Sequence, residues 1–254
     1  ARYEGVRREV ADARAAIMAG ALDEGVRRAR AAAAAAVELG HAPLEADAWY
    51  TLALGLDHTG EVHGAADALH AAGQAAIAGR DRILAAHVWI RLILIEGDRL
   101  GHPDVAARWA EYADAAVEAV RPHAELEWRL DFQRGVLAGE RGRFEESVQL
   151  LSRALERVIP LDGADSYEAG QIHLSLALAY GNLGAHERAV VHCERDIAIT
   201  EATLGPWHPS LGQSLSNASL PYQALGRTDE ARAAVTRAIA VWERSSGPEF
   251  GRLA

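Results

Sequence analysis

Asp57, His58, Glu61, His63 and His70 crowd one stretch of the chain. Imidazoles and carboxylates so close could hold a divalent metal. His63 and His70 share one helix face, but His58 lies across a turn on the preceding helix, and no His-Glu-x-x-His occurs. Polar residues on a turn and a helix surface account for the cluster, so no metal and no cofactor are expected. The carboxylate pairs Glu145-Glu146 and Asp229-Glu230 could do acid–base chemistry only inside an enclosed pocket. Each opens a helix instead, where the partial positive charge of the helix start favours them. Glu194-Arg195-Asp196 has the form of a phosphotransfer catalytic triplet but falls in mid-helix, on a solvated face. A glycine-rich phosphate loop, a phosphate-reaching lysine and an Asp-Phe-Gly are all missing from the sequence. No catalytic constellation is left, and the chain is read as a non-enzyme.

Charge and composition narrow the partners. The formal net charge is −10, and every basic residue other than histidine is an arginine. Nucleic acid demands clustered cations, and this acidic chain has no basic stripe to offer. No apolar run approaches the roughly 20 residues of a membrane helix; the most apolar stretch, Trp89 to Ile95, is interrupted by Arg91. This segment is therefore read as soluble, cytoplasmic by default and not itself inserted in a membrane, with a membrane-anchored parent protein left open. Cys193 is the lone cysteine, which excludes an internal disulfide. The chain starts at alanine and shows no signal peptide, and it reads as a piece of something longer.

Half the residues are hydrophobic, yet aromatics are only 6%, and alanine runs such as Ala31 to Ala36 abound. Alanine favours helix and lets helices approach closely, and strand and hairpin signals are nearly absent. A repeat supplies the architecture. Turn glycines followed five residues later by a small residue occur as Gly20/Gly25, Gly60/Ala65, Gly101/Ala106, Gly142/Ser147, Gly184/Ala189 and Gly226/Ala231. Successive glycines are 40, 41, 41, 42 and 42 residues apart. Each glycine ends one helix with a left-handed cap, and the small residue lets the next helix pack tightly. Seven residues before each glycine stand Ala13, Ala53, Leu94, Gly135, Ala177 and Ser219, all small but Leu94, as a close crossing requires. Twelve after it, Asp196 is the misfit among alanines and is expected to reach solvent or bond a neighbouring helix.

The spacing predicts an all-α solenoid of six antiparallel helix pairs sharing one core. The predicted helices run over 3–18, 21–39, 44–59, 61–79, 82–100, 103–120, 123–141, 144–159, 165–183, 186–203, 208–225 and 228–245. The units, 3–40, 44–80, 82–121, 123–160, 165–204 and 208–246, form a single array over 1–254. Gly163, Gly205 and Gly247 repeat at 42 residues in the inter-unit loops, so 247–254 reads as the start of a truncated seventh unit or a tail.

Leu204-Gly205-Pro206-Trp207-His208-Pro209, followed by Leu215, Asn217, Tyr222, Gly226 and Glu230-Ala231, resembles the 42-residue tetratricopeptide repeats of kinesin light chains. Pro221 is an odd insertion in the first helix of that unit, expected to kink it, and His208 is read as fixing the inter-repeat turn beside Pro209. The likeness is strong over 166 to 246 and falls toward the N-terminus. The chain also resembles the C-terminal repeat region of bacterial, notably myxobacterial, serine/threonine protein kinases, through Trp89-Ile90-Arg91-Leu92, Arg99-Leu100-Gly101 and Ala107-Arg108-Trp109-Ala110. That likeness implies a regulatory, substrate-recruiting or assembly segment whose catalytic domain lies outside this chain.

The tetratricopeptide resemblance implies a right-handed superhelix whose first helices line a concave groove for a protein or peptide. The groove positions so implied are Asp47, Tyr50, Thr51 and Asp57; Arg91 and Arg99; Arg129, Phe132 and Gln133; Gln171, Ser175 and Asn182; Gln213 and Asn217. Tyr50, Arg91, Arg129, Phe132, Gln133, Gln171, Gln213 and Asn217 are the leading ligand candidates. Amide side chains can bond a peptide backbone, arginine can grip a carboxylate, and Tyr50 or Phe132 can anchor an apolar group. The absence of lysine excludes the chaperone-tail partners that relatives hold with a lysine–asparagine clamp. Self-association through the convex face or the array ends is left open.

Overall fold

The computed structural model describes residues 2–245, which form twelve α-helices. The proposed start of a seventh unit at 247–254 lies outside the described residues. The chain divides into two compact units, Ala1–Leu126 and Glu127–Ala254.

The first unit holds α1 (Arg2–Met18), α2 (Leu22–Leu39), α3 (Ala42–Thr59), α4 (Val62–Ala78), α5 (Arg82–Leu94) and α6 (Pro103–Glu118). Local chemistry sets the ends. Asp81 Oδ1 accepts from the Leu84 N–H at 2.9 Å at the start of α5. Gly60 ends α3 at φ 80°, its N–H bonding back to Asp57 and Leu56, a conformation that costs glycine little. Between α5 and α6 the helix widens into a π-turn, Ile95–Arg99, where Leu100 N–H bonds to the Ile95 carbonyl at 3.0 Å. Leu52, Leu56, Leu69, Val88 and Leu92 form the largest core, flanked by Trp89 stacked on Trp109 at 5.3 Å.

The second unit holds the body of α7 (Ala124–Glu140) with α8 (Phe144–Asp162), α9 (Tyr167–Asn182), α10 (His186–Leu204), α11 (Pro209–Ala224) and α12 (Thr228–Ser245). The end expected for α8 at 159 is corrected. The helix runs through Pro160 to Asp162, and Gly163 N–H closes the last turn on the Ile159 carbonyl at 3.0 Å. His208 caps α11, its Nδ1 accepting from the Ser210 N–H at 3.2 Å with Pro209 at the first helical position. Leu151, Ile172, Leu176 and Ile199 anchor the core.

Small residues mark the helix crossings as their spacing predicts. Ser147 Oγ bonds to the Gly135 carbonyl at 2.7 Å, and a Cβ on Gly25 would lie 3.3 Å from the Ala13 carbonyl oxygen. Asp196 does not reach solvent: it is 1% exposed, with Thr200 Oγ1 donating to Oδ1 at 3.1 Å. Its Oδ2 finds no donor among the described residues. Burial raises its carboxyl above the ordinary 3.8, while the Ser214 and Thr200 hydroxyls pull the other way. No described helix is long and apolar enough to cross a membrane.

Candidate functional site

In each unit the first helices of the pairs touch one another. α3 packs on α1 and α5 as well as on α2 and α4, and α9 packs on α11. The positions expected to line a groove lie on these first helices and, for Arg99, on the π-turn that follows α5. The π-turn changes which residues those are. It inserts one residue before Gly101, so every residue of α5 upstream of it sits one place away from where counting back from the glycine puts it.

Burial verifies the shift. Val88 then aligns with Ala48 and Ile172, all 0% exposed. Ile93, and not the half-buried Leu94, takes the crossing place. With the shift, Arg91 aligns with Thr51, Gln133, Ser175 and Asn217. His87, which spacing missed, lies fourteen places before Gly101 and, with the inserted residue discounted, joins Arg7, Asp47, Arg129, Gln171 and Gln213, each thirteen places before its turn glycine.

In the first unit Arg7, Asp47 and His87 line an open cleft of about 460 Å³ with Tyr3, Pro43, Leu44, Ile83 and Leu84. Tyr50 is half-buried, its ring 6.4 Å from that of His87. Below the cleft the polar groups pair with one another. Arg14 forms an ion pair with Asp47 and donates to Thr51 Oγ1 at 2.7 Å, and Thr51 is fully buried. Arg91 Nη2 lies 2.6 Å from Asp57 Oδ2, and Arg99 Nε lies 3.5 Å from Oδ1. The structure thus brings Asp57, Arg91 and Arg99 together, committed to each other.

In the second unit Asp131, on the inner side of α7, is paired with Arg153 and Arg157. The Arg129 guanidinium lies 4.6 Å over the Trp128 ring. Phe132 packs against the apolar core around Leu151 and Ile172. Gln133 and Gln171 are half-buried, and Gln213 is exposed and donates to Asn217 Oδ1 at 3.1 Å across one turn.

Asn217 opens onto a pocket of about 200 Å³ between α9, α10 and α11. Leu178 and Leu220, 42 residues apart and 45% and 65% exposed, form its lips. Ala177, Gly181, Asn182, His186, Cys193 and Pro221 complete the lining. The helix runs unbroken through Pro221, whose missing N–H deprives the Asn217 carbonyl of its i+4 donor. His186 Nδ1 is buried without a partner among the described residues. Burial, with Asp196 and Glu194 nearby, pushes the Cys193 thiol up to about 12, so it stays protonated and unreactive. No carboxylate or guanidinium lines the pocket, which offers hydrogen bonds and apolar contact. Leu178 and Leu220 were detectable as large apolar residues at one repeat position in consecutive units.

The histidines of the sequence cluster do not converge. His58 and His63 are exposed, while His70 lies with its ring 5.2 Å from Trp109 and its Nε2 4.0 Å from Glu96. Among the described residues no group of three or more His, Cys, Asp or Glu is placed to hold a metal. His173 and His192 do meet, Nδ1 to Nδ1 at 2.8 Å, and Tyr180 stacks on His192. Burial lowers both, His173 to about 4 with help from its neighbours His192 and Arg195.

The fold is that of tetratricopeptide-like α-solenoids. Residues 170–244 match the family described as tetratricopeptide repeat. Among solved structures the chain is similar to BtubC (BKLC) from P. vanneervenii, at 23% identity over 95% of this chain and 92% of that one, TM-score 0.69. It is similar to a signal transduction ATPase with numerous domains bearing a tetratricopeptide repeat sensor, from Pyrococcus horikoshii, at 14% identity over 91% of this chain and 33% of that one, TM-score 0.69. The apo form of RapI is also similar, at 12% identity over 97% of this chain and 79% of that one, TM-score 0.65. These likenesses are of fold. No curated protein sequence matches the chain.

Proposed function

We propose that the chain is a non-catalytic scaffold that holds a peptide segment of a protein partner against its first helices, seating one large apolar side chain in the pocket beneath Asn217. The pocket carries this reading: no carboxylate or guanidinium lines it, it is of side-chain size, and two exposed leucines rim it. The Asn217 amide and its carbonyl, which lacks the usual i+4 donor, stand where a bound backbone would pass, so an extended segment gains hydrogen bonds and apolar burial at once.

Selection of a random displayed-peptide library on the purified chain tests this. Enriched peptides should share a leucine, methionine or phenylalanine at one position and lose binding to the Leu220→Asp chain. The absence of any enriched pattern, or equal binding by Leu220→Asp, would overturn the assignment. As a finer reading, the resemblance of residues 89–110 to kinase-associated repeats supports a recruiting role beside a serine/threonine kinase domain. A parent reading frame with no such domain would end it.

A further inference from the structure

The turn between α4 and α5 carries a cleft of about 430 Å³, lined by Ala76, Ile77, Arg80, Asp81, Arg82 and Ala85. Its walls come from α4, α5 and the residues joining them, with described helices before and after in the same unit. Ala76 and Ala85 are buried, while Ile77 is 63% exposed and gives the cleft an apolar ledge. Arg80 and Arg82 are exposed. Neither guanidinium has an ion-pair partner among the described residues, whereas Arg91 and Arg99 of the same unit are held by Asp57. Asp81 stands between them with Oδ1 engaged by the Leu84 N–H, and the two arginines outnumber it. Arg80 is also held at a cost. Its φ of 57° is the only positive one outside glycine among the described residues, and glycine takes that conformation at the other turns. A β-carbon disfavours left-handed backbone. An arginine kept where glycine would be relaxed points to a demand on its side chain.

We propose that this cleft docks an acidic segment of a partner protein, with one apolar side chain of the segment covering Ile77 and its carboxylates pairing with Arg80 and Arg82. Charge selects this occupant. Two unpaired guanidiniums beside an apolar ledge complement a carboxylate-bearing strand with an aliphatic or aromatic anchor, and arginine grips carboxylate through paired N–H donors. The ledge supplies the apolar contact, and the arginines exclude basic segments. The cleft belongs to the first unit and shares no residue with the pocket beneath Asn217, so the two surfaces are tested apart.

Displayed-peptide selection on the Leu220→Asp chain tests this with the second unit's pocket disabled. One library varies only among Asp, Glu, Leu and Phe, and a matched one carries Lys and Arg in place of the acids. The acidic library should enrich and the basic one should not. Synthetic copies of the enriched peptides, read by fluorescence anisotropy, should bind the Arg80→Gly chain about tenfold more weakly. That change relieves the backbone, so its urea midpoint should be unchanged or higher. Ile77→Asp should abolish binding, and added salt should weaken it. A failure of the acidic library to enrich would overturn the proposal, as would peptides whose affinity ignores either Arg80→Gly or Ile77→Asp. A lower midpoint for Arg80→Gly would make the arginine structural and end it too. Self-association on sedimentation that Ile77→Asp disperses would give the cleft to a second copy instead.

Discussion

Ser147 Oγ donates a 2.7 Å hydrogen bond to the Gly135 carbonyl where α7 and α8 cross. The two backbones can come this close because neither residue carries bulk. A Cβ on Gly135 would lie 2.7 Å from Leu151 Cγ and 3.3 Å from its backbone nitrogen. Gly135→Ala should therefore destabilise the second unit by about 2 kcal/mol despite the helix preference of alanine. Urea denaturation followed by circular dichroism measures the difference, and an unchanged or higher midpoint would contradict the close-crossing account.

Asp196 stands in the core where other second helices carry alanine, and its raised carboxyl favours the protonated form in the folded state. A folded pKa above the unfolded one means its contribution is fully present below pH 3.8 and is lost as pH rises through the folded value. Asp196→Ala should thus stabilise the protein at pH 7 by about 1 kcal/mol, with Thr200 turning its hydroxyl to its own helix backbone. The gain should shrink as pH falls toward 4. Thermal melts at a series of pH values check both parts.

The His173–His192 pair has the opposite slope. Both rings are held below their usual 6.5, His173 at about 4, so the folded state prefers them neutral. The stability this confers is present above pH 6.5 and lost as pH falls through about 4. Screening of the half-exposed rings should hold the effect to about 1 kcal/mol. His173→Phe should flatten the acid limb of the stability profile, and an unaltered limb would remove the pair from the account.

Arg91 illustrates why a groove position is not yet a ligand contact. Its partner Asp57 has a side chain only 7% exposed, so Arg91→Ala leaves a buried carboxylate with Arg99 alone. A loss of about 2 kcal/mol in the first unit is expected, and pairing the change with Asp57→Asn should recover part of it. A double-mutant cycle in denaturant measures the coupling, and additive losses would show that the pair contributes nothing.

Leu220→Asp and Asn217→Ala separate binding from folding. Leu220 is 65% exposed, so its change should leave stability within about 0.5 kcal/mol while abolishing capture of selected peptides. Asn217→Ala should weaken the same peptides by about tenfold through lost backbone hydrogen bonds. Fluorescence anisotropy with labelled peptide reads both.

The sequence by itself determined the helix count, the pairing of helices and the crossings at Ala13/Gly25 and Gly135/Ser147, because these follow from backbone periodicity and from bulk at fixed spacing. It also placed His208 and Pro209 at a helix start. It could not reveal the π-turn at Ile95–Arg99. The extra residue lengthens the period only from 40 to 41, an increment any loop could absorb, yet it moves Arg91 into the row of Asn217 and brings His87 into the cleft. Nor could it tell that Thr51 and Asp57 are spent on arginines of neighbouring helices, or that Phe132 belongs to the core. A side chain on an inner face is free or committed according to the distance between helices, and that distance exists only once they are packed. The pocket between Leu178 and Leu220 has the same origin: three consecutive helices must pack together before there is a hollow for Asn217 to open onto.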